Sequence, residues 1–178
     1  MSEKKERQIH LPLTEETARS LKAGEFCRLE GTLYVARDAA HQRMAAALAE
    51  GKPLPFDLQD QCIYYMGPSP APPGHVIGSA GPTTAGRMDR YTPALLDLGL
   101  KAMVGKGRRT KEVLDAIKRN GAVYFGAVGG AGALLSRCIT SAETVAWPEL
   151  GAEALLKITV RDFPVIVLAD SQGGCLYE

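Results

Sequence analysis

A short run at residues 81–89, Gly-Pro-Thr-Thr-Ala-Gly-Arg-Met-Asp, places two hydroxyls and a guanidinium beside a turn. Thr84 could cap a helix that begins at Ala85, and a helix N-terminus attracts anions through its unpaired N–H groups and its dipole. Arg87 would add a planar guanidinium, which binds a carboxylate through two parallel hydrogen bonds. The run indicates a site for a carboxylate or a phosphate, although an ordinary capped turn with an exposed arginine fits the local pattern equally well.

Two further cations lie where strands are predicted to end. Lys106 lies between two glycines, which let a backbone approach a ligand closely, but the run lacks the spacing of a phosphate-binding P-loop. Arg37 lies at a strand-to-helix junction, a usual place for a site in α/β folds. These cations would suit a small dicarboxylate, since each charge-assisted hydrogen bond contributes about 1.5–3 kcal/mol. The candidate side chains are Arg37, Thr83, Thr84, Arg87 and Lys106.

Other polar residues near these candidates have simpler explanations. Asp38 is better explained as a helix cap than as an acid catalyst, and His41 as a structural or surface residue of the same helix. The glycine-rich run 129–133 follows a predicted strand but lacks the dinucleotide-binding spacing, so close packing or an anion-binding turn explains it. The sequence shows no metal-ligand cluster, no nucleophile–base pair and no convincing pair of carboxylates.

The cysteines point away from a metal site on this chain. There are four of them, Cys27, Cys62, Cys138 and Cys175, and none is paired with another cysteine or a histidine at zinc-ligand spacing. Buried free thiols in a reducing compartment explain such scattered cysteines best. We therefore expect no metal bound by this chain alone.

The candidate residues need elements that bring them to one place. Residues 110–120 form a predicted amphipathic helix that ends at Gly121, and an apolar strand follows at 122–128. Thr92-Pro93 begins another predicted helix, with the proline at its first helical position. This alternation of strands and helices predicts an α/β fold with a mixed sheet and helices packed on it.

The two ends of the chain carry a different pattern. Apolar runs at 25–29 and 32–36 are separated by a Glu-Gly pair, which predicts a hairpin. Apolar runs at 155–160 and 165–169 are separated by Asp-Phe-Pro, which predicts two strands with a break between them. The first half of the chain is therefore expected to be hairpin-like, and the second half to be α/β.

Length and composition predict one domain with an ordinary core. The chain has 178 residues, of which 46% are hydrophobic, and we expect an N-terminal extension with a short helix at 1–24 and a single domain at 25–178. Its 21 Lys+Arg and 20 Asp+Glu residues give a net charge of +1, which argues against nucleic-acid binding by bulk charge. No apolar run is long enough to span a membrane, and the charged N-terminus does not resemble a secretory signal. We therefore expect a cytoplasmic protein.

The run 81–89 belongs to a larger pattern. The other parts are Gly-Lys-Gly at 105–107, Ala-Arg-Asp-Ala-Ala-His at 36–41, and Tyr-Phe-Gly-Ala-Val-Gly-Gly-Ala at 124–131. Together they resemble the class I fumarate hydratase family, specifically its C-terminal domain, which is a separate β subunit in two-subunit enzymes. The L-tartrate dehydratase β subunit shares this pattern.

The resemblance implies a swivelling β/β/α domain in a hydro-lyase that reversibly hydrates fumarate to malate, a step of the tricarboxylic acid cycle. It also implies a partner α subunit that carries a 4Fe-4S cluster on its own cysteines. The chain would dimerise or join a heterotetramer with two copies of each subunit. Thr83 matches a proton-transfer threonine that works with an acidic residue of the partner. The residues that match substrate-carboxylate contacts are Arg37, Thr84, Arg87 and Lys106.

Two alternatives stay open. An L-tartrate dehydratase β subunit would show the same pattern, because contacts from the partner would recognise the extra hydroxyl of its substrate. A non-catalytic module that binds dicarboxylates or assists assembly would also combine anion-binding turns with an absence of chemistry of its own. Co-purification with an iron–sulfur partner would separate the enzyme subunit from the module.

Overall fold

One mixed β-sheet organises the chain, and the computed structural model describes it over residues 6–68, 71–128 and 132–177. Its strands are β1 (Arg7–Leu11), β2 (Phe26–Val35), β3 (Cys62–Tyr64), β4 (Ala102–Gly105), β5 (Val123–Ala127), β6 (Ile139–Ala146) and β7 (Leu155–Ala169). The helices are α1 (Glu15–Ser20), α2 (Asp38–Ala49), α3 (Thr92–Asp97), α4 (Lys111–Asn120) and α5 (Gly132–Ser136). Short 3₁₀ helices cover Ala85–Met88 and Pro148–Glu153.

The strand pairings close part of the sheet into a ring. Strands β1 to β5 are neighbours in chain order, and each adjacent pair is parallel. The 15-residue β7 runs antiparallel to β5, to β2 and to β6. Because β7 joins β5 back to β2, the ring consists of β2, β3, β4, β5 and β7, and β1 and β6 lie outside it. The predicted α/β fold with a mixed sheet is confirmed.

Alternate side chains of the strands enter two separate cores. Tyr64 belongs to a core built largely from strand residues, whereas its neighbours Ile63 and Tyr65 belong to a second core that packs against α2, α3 and α4. This alternation follows from the two-residue period of a β-strand. Strands buried on both faces make a rigid support for the loops that leave their ends.

Local sequence signals place several helices correctly. The Thr14 hydroxyl accepts a hydrogen bond from the N–H of Thr17 at the start of α1, and Thr110 caps α4 in the same way. Gly121 ends α4 with a left-handed φ of 64°. No helix in the described part of the chain combines the length and apolar character needed to cross a bilayer.

The hairpin expected at 25–36 is wrong, because β2 runs unbroken through this segment. Its register against β7 shifts between Leu29 and Gly31, which marks a β-bulge instead of a turn. Gly31 has a φ of +121°, and a Cβ atom there would lie 2.4 Å from the carbonyl oxygen of Leu11. Gly31 thus allows β1 to approach β2 closely. Turns and bulges both use glycine at positive φ, so this glycine was compatible with either structure.

The break expected between 155–160 and 165–169 is also wrong, because both runs belong to β7. Near Val160 the strand pairs with β6, and from Val165 onward it pairs with β5 instead. Between Val160 and Val165 the strand that pairs with β7 on this edge changes from β6 to β5. Asp162, in this interval, has a left-handed φ of 52°. A proline is tolerated at such a corner because fewer ladder hydrogen bonds are required of it.

The segment that the sequence set apart as an N-terminal extension contributes to the same sheet. β1 pairs in parallel with the first half of β2, from Arg7 opposite Cys27 to Leu11 opposite Gly31. The buried carboxylate of Asp170, after β7, accepts a hydrogen bond of 2.7 Å from the N–H of Ala23. Strand pairing and this hydrogen bond attach the segment to the rest of the fold.

Candidate active site

The carboxyl ends of three parallel strands bring the candidate residues to one edge of the sheet. Arg37 follows β2, Gly67 follows β3, and Lys106 follows β4 directly. Open α/β sheets commonly bind ligands at this edge, because the loops that leave it converge there. The strand order thus places chain segments 30 or more residues apart in sequence beside one another.

The run 81–89 lies across this edge and is held by backbone hydrogen bonds on both sides. The N–H of Thr83 donates to the carbonyl of Tyr65 at 2.8 Å, and the N–H of Ala85 donates to the carbonyl of Lys106 at 2.9 Å. Isolated β-bridges join Pro82 to Met66 and Thr84 to Lys106. The two threonines therefore lie between the ends of β3 and β4, next to the lysine.

The helix expected to begin at Ala85 is only a four-residue 3₁₀ helix, Ala85–Met88. Thr84 precedes it with extended backbone, but its side chain makes no capping hydrogen bond and is exposed. The expectation of an anion-binding α-helix N-terminus here is therefore wrong. An anion at this edge would therefore be attracted by side chains and not by a helix dipole.

Arg87 contacts both Thr83 and Asp38. Its Nη2 atom donates a hydrogen bond of 2.8 Å to the Thr83 hydroxyl oxygen and lies 3.3 Å from a carboxylate oxygen of Asp38. Asp38 was expected to cap α2, but the N-cap position is Arg37 and no side chain caps the helix from that position. Asp38 instead occupies the first turn, where the helix dipole favours an acid, and its carboxylate faces Arg87.

Glu153 and Gly67 fix the surroundings of Arg37. One carboxylate oxygen of Glu153 accepts a hydrogen bond of 3.1 Å from the N–H of Ala39 and lies 3.7 Å from Nε of Arg37. That Nε atom is buried and has no hydrogen-bond partner. A Cβ atom at Gly67 would lie 2.4 Å from the guanidinium carbon, so a larger residue there would displace the Arg37 side chain. Glu153 was not identified from the sequence, because it lies far along the chain in an unremarkable 3₁₀ helix.

His41 is buried inside the domain beside this edge. Its Nδ1 atom lies 2.8 Å from the carbonyl oxygen of Arg37, and its ring packs edge-on against Tyr65 at 5.5 Å between centroids. Burial lowers the pKa of His41 to about 4, so the ring is neutral near neutral pH. A neutral ring nitrogen beside a carbonyl must donate, which ties His41 to the start of α2 in a structural role.

A buried ion pair anchors the far end of the run 81–89. Arg109 Nε donates to a carboxylate oxygen of Asp89 at 2.6 Å, and the other oxygen of Asp89 accepts from the N–H of Thr110 at 2.6 Å. Arg109 also donates to the hydroxyls of Tyr65 and Thr92, both at 3.1 Å. Arg109 was not identified from the sequence. The one sign of a buried cationic partner was Asp89 at the end of the run 81–89.

The thiols do not form a metal site in the described residues. Cys27 and Cys62 are buried, and burial raises the pKa of both thiols, that of Cys27 to about 11. Cys138 and Cys175 are partly exposed. No group of three or more His, Cys, Asp or Glu side chains within 6–68, 71–128 and 132–177 is arranged to hold a metal ion. These residues do not fit an iron–sulfur cluster.

The glycine-rich run 129–133 lies partly outside the described residues, which resume at Gly132. The carbonyl of Gly132 accepts a hydrogen bond of 3.1 Å from the N–H of Ala80. A Cβ atom on Gly132 would lie 2.7 Å from the backbone nitrogen of Gly81. Close packing against the start of the 81–89 run therefore explains this glycine.

Comparison with known proteins adds an independent line of evidence. A family model described as Fumarase C-terminus matches residues 1–178. Over 152 residues the chain is 44% identical to the aerobic class I fumarate hydratase of Escherichia coli (strain K12), covering 84% of this chain and 28% of that protein. It is 44% identical over 157 residues to fumarate hydratase 2 of Leishmania major, covering 87% of this chain and 28% of that protein.

A third relative has a similar length to this chain. The putative L(+)-tartrate dehydratase subunit beta of Methanocaldococcus jannaschii is 38% identical over 172 residues, which cover 93% of this chain and 88% of that protein. The chain thus spans 28% of the length of the two fumarate hydratases above and most of the length of the subunit.

Proposed function

Because the chain belongs to the Fumarase C-terminus family, we propose that it supplies part of the active site of a hydro-lyase that reversibly hydrates fumarate to malate. One observation carries this proposal: Thr83 and Thr84 lie at one sheet edge with Arg87 and Lys106. Two hydroxyls and two cations at one edge suit a small dicarboxylate better than a neutral ligand.

Thr83 is the proposed proton-transfer residue. In the dehydration direction, the proton leaves the CH₂ carbon of malate as the hydroxyl leaves the neighbouring carbon, and hydration reverses both steps. A threonine hydroxyl is a weak base, so its oxyanion must be stabilised. The hydrogen bond of 2.8 Å from Arg87 to the Thr83 oxygen supplies a positive charge at that atom. An acidic residue of the partner would complete the proton transfer.

The substrate carboxylates would be bound by the remaining candidates, Arg37, Thr84, Arg87 and Lys106. Arg37 supports this role because its buried Nε atom has no hydrogen-bond partner in the structure. A buried N–H without a hydrogen bond costs about 1–3 kcal/mol. The Glu153 carboxylate at 3.7 Å offsets part of that cost, and an anionic ligand within reach would supply the missing hydrogen bond. Lys106 and Thr84 are joined through their backbones, so their side chains leave neighbouring positions of this edge.

We propose that a partner α subunit, or a preceding domain in longer relatives, completes the site and carries the 4Fe-4S cluster. Two observations support this division. The described residues of this chain do not fit a cluster, and a relative of which the matched region covers 88% is named as a subunit beta. Assembly with two copies of each subunit is part of the same proposal.

Co-expression with the partner, followed by anaerobic purification and a hydratase assay, tests the proposed function. We expect a brown complex with roughly stoichiometric subunits that converts fumarate to malate, and no turnover from this chain alone. A colourless protein that binds dicarboxylates without a partner would support the non-catalytic module instead. A complex that contains iron and turns over neither fumarate nor tartrate would contradict the proposal.

L-tartrate dehydration is a second candidate function, favoured by the full-length similarity to the putative tartrate dehydratase subunit. The same complex should be assayed against fumarate, mesaconate and L-tartrate. The substrate with the highest kcat/KM identifies the activity, because discrimination between substrates is expressed in that ratio. A kcat/KM for L-tartrate above that for fumarate would replace the first candidate with the second.

A further inference from the structure

We propose that Asp38 is a positioning residue that holds the Arg87 guanidinium on the Thr83 hydroxyl and thereby sets the rate of proton transfer more than the affinity for substrate. This inference rests on the proposed function, because it concerns the efficiency of Thr83 in the same reaction. Asp38 belongs to the run 36–41, and in the proposed reaction it neither binds substrate nor moves a proton. The positioning role would explain why an acid lies there.

The geometry joins the three side chains through a single nitrogen atom. Nη2 of Arg87 lies 3.3 Å from Oδ2 of Asp38 and 2.8 Å from Oγ1 of Thr83. The Arg87 side chain is 52% exposed, so few packing contacts restrict its rotamers. A long exposed side chain loses entropy when one hydrogen bond holds it, and a second contact at the same nitrogen favours the orientation that reaches Thr83.

Asp38 is itself held on a fixed element. It is the first residue of α2, and both neighbouring residues are tied down: the carbonyl of Arg37 faces His41 Nδ1 at 2.8 Å, and the N–H of Ala39 donates to Glu153 at 3.1 Å. A carboxylate on a restrained helix start can fix the direction of a flexible partner. The reverse arrangement, with Arg87 fixing Asp38, is less effective because the arginine is the longer and more exposed chain.

Neither capping nor stability explains Asp38 as well. The N-cap position of α2 is Arg37, and no side-chain hydrogen bond caps the helix from there. Asp38 is 43% exposed in its pair with Arg87, and exposed ion pairs contribute only about 0–1 kcal/mol to folding. A role in orienting Arg87 uses the contact that the structure does show.

A positioning role predicts a specific split between kcat and KM. Changing Asp38 to Asn removes a negative charge beside a site proposed to bind a dianion and leaves the Arg87 guanidinium able to contact a substrate carboxylate, so substrate affinity should stay equal or improve. The hydrogen bond from Arg87 to Thr83 loses its restraint, so the proton transfer should slow. Replacement of a residue that contacts substrate carboxylates would raise KM instead.

The test uses the co-expressed complex with the Asp38→Asn change. We expect kcat to fall by about tenfold, a fraction of the 10²–10⁴ that a positioned acid–base group contributes, with KM unchanged or lower. Asp38→Glu keeps the charge and should recover part of kcat. The matched control is Glu149→Gln, which removes another exposed ion pair made by α2, that between Glu149 and Arg43 at 3.0 Å. This variant should have the kcat and KM of the wild type.

A double-mutant cycle with Arg87→Gln identifies the path of the effect. If Asp38 acts through Arg87, Asp38→Asn should cause no further loss of kcat in the Arg87→Gln background. Full additivity, a wild-type kcat in Asp38→Asn, or a raised KM with unchanged kcat would each overturn the inference. These outcomes differ from failure of the proposed function, in which the wild-type complex does not hydrate fumarate or Thr83→Ala retains full turnover.

Discussion

At the scale of single residues, the role proposed for Thr83 raises the question of how a threonine could move a proton at neutral pH. The oxygen of Thr83 accepts a hydrogen bond from a guanidinium at 2.8 Å, and its backbone is fixed to the end of β3. A cation at hydrogen-bonding distance favours the ionised form of a hydroxyl. The structure thus supplies one of the two conditions for this chemistry, and the acidic neighbour would come from the partner.

Thr83→Ala should lower kcat of the complex by about 10²–10⁴, the usual contribution of a positioned acid–base group, with little change in KM. Thr83→Ser keeps a hydroxyl and should retain part of the turnover. Steady-state hydration kinetics measure both. Thr84→Ala is the comparison variant, because loss of a substrate contact should raise KM while kcat falls less. Unchanged turnover in Thr83→Ala would rule out the base role.

His41 should make the stability of the fold depend on pH. Burial lowers its pKa from 6.5 to about 4, so as the pH falls through this window the unfolded chain takes up a proton before the folded chain does. Stability from this group is fully present above pH 6.5 and is lost progressively as the pH falls to about 4. The loss amounts to about 3 kcal/mol, because each tenfold difference in proton affinity between the folded and unfolded chains corresponds to about 1.4 kcal/mol.

Denaturant unfolding at several pH values across this window, in wild type and in His41→Gln, measures the effect. The variant should lose this part of the pH dependence, although it will be less stable near neutral pH. His75→Gln is the control, because His75 is exposed. Equal pH dependence in wild type and in the His41 variant would show that His41 is not buried in its neutral form.

At the scale of elements, the start of α2 depends on a distant acid. Glu153, in the 3₁₀ helix Pro148–Glu153, accepts from the N–H of Ala39 and so acts as a cap from outside the helix. Glu153→Ala should lower the free energy of unfolding by about 1 kcal/mol, the usual effect of losing an N-cap. Glu153→Gln keeps an accepting oxygen and should lose less. Denaturant midpoints compare the two, and equal losses would contradict the capping role.

The bulge in β2 leads to a prediction about Gly31. In Gly31→Ala the new Cβ atom would meet the carbonyl of Leu11 at 2.4 Å and would require a φ of +121°. We expect a loss of at least about 1–3 kcal/mol, the cost of one strained backbone conformation, plus the cost of moving β1. Gly24→Ala is the matched control, because it also has a positive φ of +95° but no atom within 4 Å of the added Cβ.

Equal destabilisation by the two alanine changes would show that β1 yields without cost at this position. Denaturant midpoints, measured with the slope of the transition, separate a change in stability from a change in the unfolded state.

Elements defined by local signals were predictable from the sequence, and those defined by distant partners were not. Helix α4 has its own cap and its own terminating glycine, Thr110 and Gly121, so its limits follow from nearby residues. Strand β7 contains a proline and a residue at positive φ, and only its pairing with β2 shows that it is one strand. Local patterns record turn-forming residues but not the neighbour that keeps a strand continuous.

The candidate site divides in the same way. Thr83 and Arg87 share one sequence run, so their contact was within reach of sequence reasoning. The contact from Arg87 to Asp38, and that from Arg37 to Glu153, depend on the order of strands and on a 3₁₀ helix more than 100 residues further along the chain. Charge complementarity was visible in the sequence, but the choice of partner is decided by the fold.

At the scale of the whole molecule, the candidate site lies at an open edge. Thr84 is exposed and Arg87 is 52% exposed, so water reaches the groups that would bind substrate. Electrostatic stabilisation of a transition state is strongest where water is excluded. For the proposed reaction we therefore expect a second surface to cover this edge, which agrees with relatives in which the matching region is only 28% of the protein.

The ring of strands also has a consequence for how the chain is made. β2 pairs with β7, so residues 26–35 cannot complete their hydrogen bonds until residues 156–166 have been synthesised. Contacts between such distant segments slow folding, since a long loop must close before they form. A nascent chain on the ribosome would leave β2 with one side unpaired until late in translation. The edge that carries Arg37 and Asp38 would therefore become ordered only after β7 has emerged.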